Sequence, residues 1–281
     1  MSESPLSPDL RDVLNTARGT PGPRVFLTGA GISAESGIPT FRGAEGFWRV
    51  GSVNYQPEEL ATYRAFSRMP AEIWAWYLYR RSMCQNAEPN PAHLALAELE
   101  RDLRDDFLLI TQNVDGLHLA AGNSLDRTYQ IHGNISFTRC AQECSPTLRP
   151  LAEEFGAWNK DQPIDQNARE RLTCPDCGGW LRPHVLWFDE CYDEQWYRFE
   201  SSMAAAQSCG ILVVVGTSGA TNLPVQVASL VASRGTPFVV VDPSPSPFSE
   251  MADANPLGCF AEGTAGELVP AIAQALSSRL G

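Results

Sequence analysis

Val25-Phe26-Leu27-Thr28-Gly29-Ala30-Gly31-Ile32-Ser33-Ala34 decides how the rest of the chain is read. Its apolar opening reads as a strand buried on both faces. The strand runs directly into the G-x-G-x-x-G/A pattern of a nucleotide-binding turn. Gly29 permits the tight turn, Ala30 keeps it small, and Gly31 lets backbone N–H groups approach a pyrophosphate at a helix N-terminus. Alone the pattern is weak, because any tight strand-to-helix turn built of small residues looks the same. Working outward, short apolar runs at Phe107 to Ile110, His184 to Phe188, Ile211 to Val215 and Phe238 to Val241 are each followed by a helical pattern. That alternation predicts an α/β fold with a doubly wound, parallel, Rossmann-like sheet.

Two inserts interrupt the alternation. Residues 44–100 carry Trp, Tyr and Arg at helical spacing, and residues 133–181 carry four cysteines, several prolines and few apolar residues. The expected division is a nucleotide-binding unit from 1–43, 101–132 and 182–281. The helical insert 44–100 and the cysteine insert 133–181 together form a smaller composite domain. Cys140-x3-Cys144 and Cys174-x2-Cys177 followed by two glycines give two close cysteine pairs, the arrangement of a tetrahedral four-cysteine zinc ribbon. Four thiolates leave no open coordination position, so the Zn2+ is expected to be structural. Reduced surface cysteines are the plainer alternative. Cys84, Cys191, Cys209 and Cys259 are left as free thiols.

Composition sets limits on function. The chain has 281 residues, 43% hydrophobic and 19% charged, with 22 Gly and 21 Pro, which describes a globular protein rather than a disordered one. The net charge of −12 argues against general affinity for nucleic acid or anionic membrane. The longest strongly apolar run, Ile211 to Val215, is far short of the ~20 residues needed for a membrane span. No signal-peptide pattern opens the chain, so a cytoplasmic location is expected, and metal or reduced thiols are favoured over disulfides.

The chemistry is not that of a dehydrogenase. Such a turn should be followed, about 20 residues on, by a strand ending in Asp or Glu. Here Ser36-Gly37-Ile38-Pro39-Thr40-Phe41-Arg42-Gly43 makes a structured loop instead. Thr111-Gln112-Asn113-Val114-Asp115 follows an apolar strand and sits where open α/β sheets bind ligands. Its two amides and a carboxylate can hydrogen-bond a ribose and a carboxamide, although an ordinary polar loop capping a helix would look similar. Of four histidines, His93 and His118 read as structural and His184 as a strand-end packing residue. His132 lies between a strand and Gly133, where a lone histidine is more often a structural hydrogen-bonder than a catalyst, and is expected to keep the ordinary near-neutral pKa of its type.

These stretches resemble the sirtuins, NAD-dependent protein lysine deacylases. The resemblance rests on Gly29 to Ser33, Ser36 to Pro39, Phe41 to Gly43, Gln112 to Asp115, Ile131-His132-Gly133, the four cysteines, Arg182 to Val185 and Gly216-Thr217-Ser218, in the family's order over about residues 20 to 275. It implies that NAD is consumed and that acyl-lysine proteins or peptides are the partners. Nicotinamide and 2′-O-acyl-ADP-ribose leave with the free lysine. It assigns His132 as the base that removes a ribose hydroxyl proton, and Phe41 as a shield for the reacting carbon. Gln112 and Asn113 hold the nicotinamide ribose, and Asp115 holds the nicotinamide amide. Arg42, Gly216, Thr217 and Ser218 belong to the phosphate and ribose contacts, and Ala265 to the adenine contact. Asp242 stands where the family has Asn at the adenosine ribose.

Tyr77 and Arg80, at i and i+3 on one helix face, read by spacing as an amphipathic helix with snorkelling arginines. The resemblance is to the class carrying Tyr-x-x-Arg in this insert, which removes succinyl, malonyl and glutaryl groups. It makes the pair a receiver for the acyl carboxylate, with small Ala61 leaving room for the chain. Val114 and Asp189 depart from the family's usual Ile and Gly. Three functions stay open on sequence: an acid-selective deacylase, an enzyme passing ADP-ribose to water or protein, and an NAD-binding sensor.

Overall fold

The computed structural model describes residues 5–38, 48–50, 53–160 and 162–277. Along the chain run α1 (Pro8–Gly19), β1 (Arg24–Thr28), β2 (Trp48–Val50), β3 (Val53–Tyr55), α2 (Pro57–Leu60), α3 (Tyr63–Arg68), α4 (Pro70–Gln85), α5 (Pro91–Leu103) and β4 (Phe107–Thr111). Then follow α6 (Leu117–Ala121), β5 (Thr128–Gln130), β6 (Gly133–Cys140), β7 (Arg149–Pro150), α7 (Gln166–Arg171), β8 (Leu181–Val185), α8 (Glu194–Tyr197) and α9 (Phe199–Ser208). The chain closes with β9 (Ile211–Val215), α10 (Asn222–Ser233), β10 (Phe238–Asp242), α11 (Pro247–Asp253), β11 (Gly258–Glu262) and α12 (Ala265–Leu276).

Six strands form one parallel sheet in the order β11-β10-β9-β1-β4-β5. Every residue of β4 and β9 is buried, as continuous apolar runs require when helices cover both faces. Side chains alternate between those faces. Phe26, Phe107, Leu109, Val213 and Val239 pack with Leu10 and Leu14 of α1, Leu96 of α5 and Ile272 of α12. Val25, Leu27, Leu108, Leu212 and Val214 pack with Ala206 of α9, Val227 of α10 and Phe248 of α11. Because β4 lies on one side of β1 and β9 on the other, the C-terminal end of β1 is a topological switch point.

One expected strand goes elsewhere. The run at His184 to Phe188 reads from sequence as part of the parallel sheet, but β8, Leu181–Val185, pairs antiparallel with β6 in a separate sheet ordered β7-β6-β8. The reason is the turn at Gly133, with φ +84°, which carries the chain from β5 straight into β6. There the backbones come so close that a Cβ on Gly133 would lie 2.0 Å from the His184 carbonyl oxygen. Burial also draws the two inserts together. Leu60, Phe66, Trp74 and Leu78 share one core with Ile135, Phe155, Trp158, Leu172, Leu181 and Trp187, and Trp74 Nε1–H donates to the Leu181 carbonyl at 2.8 Å.

Candidate active site

The glycine turn meets the loop after β9 at the switch point. Gly29 N–H donates to the Val215 carbonyl at 3.0 Å and Gly31 N–H to the Gly216 carbonyl at 2.8 Å. A Cβ on Gly31 would lie 2.6 Å from Gly216 Cα, and one on Gly29 2.6 Å from Thr217 Cβ. This adds a second reason for glycine at position 31. The neighbouring loop leaves no room for a side chain there, and the Gly31 N–H is engaged by the Gly216 carbonyl. The segment that follows, Ala30–Ser36, is a 3-10 helix. Around the same rim lie exposed Ser218, half-buried Asp242 at the end of β10, whose pKa burial raises, and buried Ala265 at the start of α12. Phe41 and Arg42 lie outside the described residues.

The polar run after β4 is held by a closed set of hydrogen bonds. Gln112 donates from Nε2 to Thr217 Oγ1 at 2.9 Å and accepts at Oε1 from Thr221 at 3.0 Å. Asn113 Nδ2 donates to Ser33 Oγ at 3.0 Å, and Ser33 donates in turn to Asp115 Oδ2 at 2.8 Å. Leu117 N–H gives Asp115 Oδ1 a second bond at 2.9 Å. Burial pushes the Asp115 carboxyl upward, and the bonds from Leu117 and Ser33 counter part of that rise. His93 Nδ1 accepts from Asn90 N–H, which leaves Nε2–H facing Ser33 Oγ at 3.4 Å. Burial drives His93 down to about 4 and His118 well below the usual imidazole range. Both are neutral framework groups. His184, stacked on Tyr197, is driven down to about 3 by the same cause.

His132 stands where the chain crosses between sheets. Its Nδ1 is 3.0 Å from the Gln112 carbonyl and its Nε2 is 2.7 Å from the Tyr192 hydroxyl. Burial lowers it to about 4, opposed in part by the bond to Gln112. The ordinary near-neutral value expected from sequence is therefore corrected: the ring is neutral across physiological pH. Burial also raises Tyr192 to about 12. Neither Ser33 nor Tyr192 is singled out by sequence. Ser33 is at least inside the glycine turn, whereas Tyr192 reaches His132 across sixty residues and carries no local signal.

On the insert side, Tyr77 is buried. Its hydroxyl accepts Trp187 Nε1–H at 2.8 Å, which leaves its own O–H to donate. Arg80 is half-buried with its guanidinium 5.3 Å from the centre of the Trp76 ring. Ala61 is buried, and its carbonyl accepts from Phe188 N–H at 2.9 Å. Asp189 is accounted for here: its two oxygens accept from Tyr63 N–H at 2.7 Å and Arg64 N–H at 3.1 Å, at the start of α3. The Sγ atoms of Cys140, Cys144, Cys174 and Cys177 all lie within 4.8 Å of one another. Two of the separations, 3.5 and 3.6 Å, approach the spacing of about 3.8 Å that a tetrahedron of 2.3 Å zinc–sulfur bonds demands. No described helix is long and apolar enough to cross a membrane.

Comparison with known proteins agrees with this geometry. The chain is 41% identical over 244 residues to an NAD-dependent protein deacylase of Leptospira interrogans, covering 87% of this chain and 89% of that one. It is 38% identical over 250 residues to an NAD-dependent protein deacylase of Pyrococcus furiosus, covering 89% and 91%. Among solved structures, it superposes on a Sir2 homologue in complex with NAD with a TM-score of 0.75 at 34% identity, covering 94% and 93% of the two chains. A Sir2 homologue bound to a myristoylated histone peptide gives a TM-score of 0.66 at 25% identity, covering 95% and 96%. The profile of the Sir2 family matches residues 29–222, from the glycine turn to the start of α10, and so the chain belongs to the Sir2 family.

Proposed function

We propose that this protein is an NAD-dependent protein lysine deacylase with a preference for acidic acyl groups. The observation that carries the reading is the meeting, at one topological switch point, of Gln112, Asn113, Asp115 and His132, each with its polar atoms fixed by a partner. The donor set fits NAD. Two amides and hydroxyls suit ribose, the Asp115 carboxylate suits a carboxamide N–H, and no cationic side chain among these residues crowds the site against a pyridinium. NAD supplies an activated ribose carbon whose nicotinamide leaves readily.

The chain's own residues supply position and proton handling. Gln112 and Asn113, locked to Thr217, Thr221 and Ser33, hold the ribose in one orientation. His132 keeps its proton on Nδ1, directed at the Gln112 carbonyl, so Nε2 is the basic atom. The four thiolates fit a structural zinc that ties β6 to the segment before β8.

Tyr77 and Arg80 support acyl selectivity. The phenol is aligned by Trp187 with its O–H to give, and Arg80 lies close enough to oppose the burial-driven rise in the phenol's pKa. Charge-assisted bonds from that pair suit a terminal carboxylate. Transfer of ADP-ribose to water or protein rested on Asp189 spoiling the peptide groove. With that carboxylate taken up by α3, no observation favours it. The test is mass spectrometry of acetyl, succinyl, malonyl and glutaryl peptides incubated with NAD. Loss of the acidic acyl groups, with nicotinamide released only in step, is expected. Nicotinamide release without peptide, or a preference for acetyl, would sink the reading.

A further inference from the structure

Counting hydrogens around His132 leaves an unfilled place. Nδ1–H is given to the Gln112 carbonyl, so Nε2 carries the single in-plane lone pair and the Tyr192 O–H must be the donor to it. Thr221 O–H is given to Gln112 Oε1, and the Gln112 amide nitrogen gives its two hydrogens to Thr217 Oγ1 and the Thr28 carbonyl. Each of these donors is thus engaged. The hydrogen bond that fixes the Tyr192 hydroxyl is thus the one to His132. The Tyr192 oxygen keeps acceptor capacity and has no hydrogen to spare. A hydroxyl entering beside Gln112 finds the lone pair of His132 already taken, and finds Tyr192 Oη ready to accept.

We propose that Tyr192 is a proton relay between the substrate ribose and His132, an inference that rests on the deacylase reading. The ribose O–H breaks as its proton passes to Tyr192 Oη, while the phenol's own proton passes to His132 Nε2. The phenol ends neutral and the imidazole ends as imidazolium. The electron pair left on the ribose oxygen forms the new bond to the acyl carbon, while that carbon's double bond to the lysine nitrogen opens and its π pair moves onto the nitrogen. His132 thereby acts through a tethered phenol, which accounts for a base whose acceptor nitrogen is occupied at 2.7 Å.

Tyr192→Phe keeps the ring and removes only the relay oxygen. Deacylation turnover should fall at least about tenfold, less than the 10²–10⁴ typical of losing the base itself. Exchange of labelled nicotinamide into NAD in the presence of acyl peptide, which moves no hydroxyl proton, should be retained. In the cofactor-free protein, ¹⁵N NMR of the His132 ring should show Nδ1 protonated and Nε2 an acceptor. Its titration should move to higher pH in Tyr192→Phe, since a donor to the neutral ring is gone. Equal loss of exchange and turnover would make Tyr192 structural. Unchanged or faster turnover would make it a displaceable cap, and unchanged His132 signals would deny the contact, so each overturns the relay. Failure of the wild type to exchange nicotinamide at all would overturn the deacylase reading along with it.

Discussion

Ser33 Oγ takes a hydrogen from Asn113 and faces Nε2–H of His93 while giving its own to Asp115, so the side chains of Asn113 and Asp115 are set through one shared hydroxyl. Under the proposed function the reacting residue is His132. His132→Ala should lower deacylation by about 10²-fold or more while NAD binding by calorimetry remains measurable. Retained turnover would remove it from the mechanism. Arg80→Met should cost desuccinylation about 2–4 kcal/mol of transition-state binding, with deacetylation little changed, because an acetyl group has nothing to reach the guanidinium. The readout is the ratio of kcat/KM for succinyl over acetyl peptide, since damage to the fold lowers both. Gln112, Asn113 and Asp115 were legible because they are contiguous and follow a strand. The pairs Ser33 with His93 and His132 with Tyr192 were not, since each joins residues sixty apart and only the sheet order brings them together.

At the level of elements, continuous apolar runs found β1, β4, β9 and β10 because burial on both faces leaves no choice of residue. The short strand read just before His132 is β5, but such runs could not find β11, whose Phe260 and Ala261 are only half-buried at the sheet edge. The apolar run at His184 to Phe188 overlaps the strand at 181–185 only at its end, since Arg182, Pro183 and His184 break any apolar pattern there, and the strand pairs antiparallel with β6. The cysteine insert looked poor in core. Leu151, Phe155, Trp158 and Leu172 nonetheless bury against the helical insert, so the metal adds to a shared core. Metal analysis should find about one zinc per chain. Cys174→Ser should lose it and melt at lower temperature, with the parallel sheet retained by circular dichroism. A metal-free variant with unchanged Tm would show that the cysteines are not a structural site.

For the whole molecule, pH dependence follows from three buried histidines, His93, His118 and His184, and from half-buried His132. His93, His132 and His184 are lowered to about 4, 4 and 3, and His118 is lowered well below its usual range. A lowered imidazole leaves the unfolded chain binding the extra proton below about pH 6.5. The stability these groups confer is therefore whole above that value and declines as pH falls toward 4, by at most about 1.4 kcal/mol per pH unit for each group. Asp115 and Asp242, raised by burial, act in the opposite sense over the carboxylate range. Urea unfolding should give a midpoint that drops steeply from pH 7 to 5, and His93→Gln should flatten that slope. A midpoint independent of pH would contradict the buried neutral rings. The crossing from β5 to β6 has one more consequence. The His132 side chain is tied to Gln112 beside the parallel sheet, while its carbonyl accepts from Leu186 N–H at 3.0 Å, just beyond β8 of the smaller sheet. Any swing of one sheet against the other must strain one of these two bonds, so the residue proposed to move the proton also serves as a mechanical interlock, gearing the proposed chemistry to how the two sheets sit.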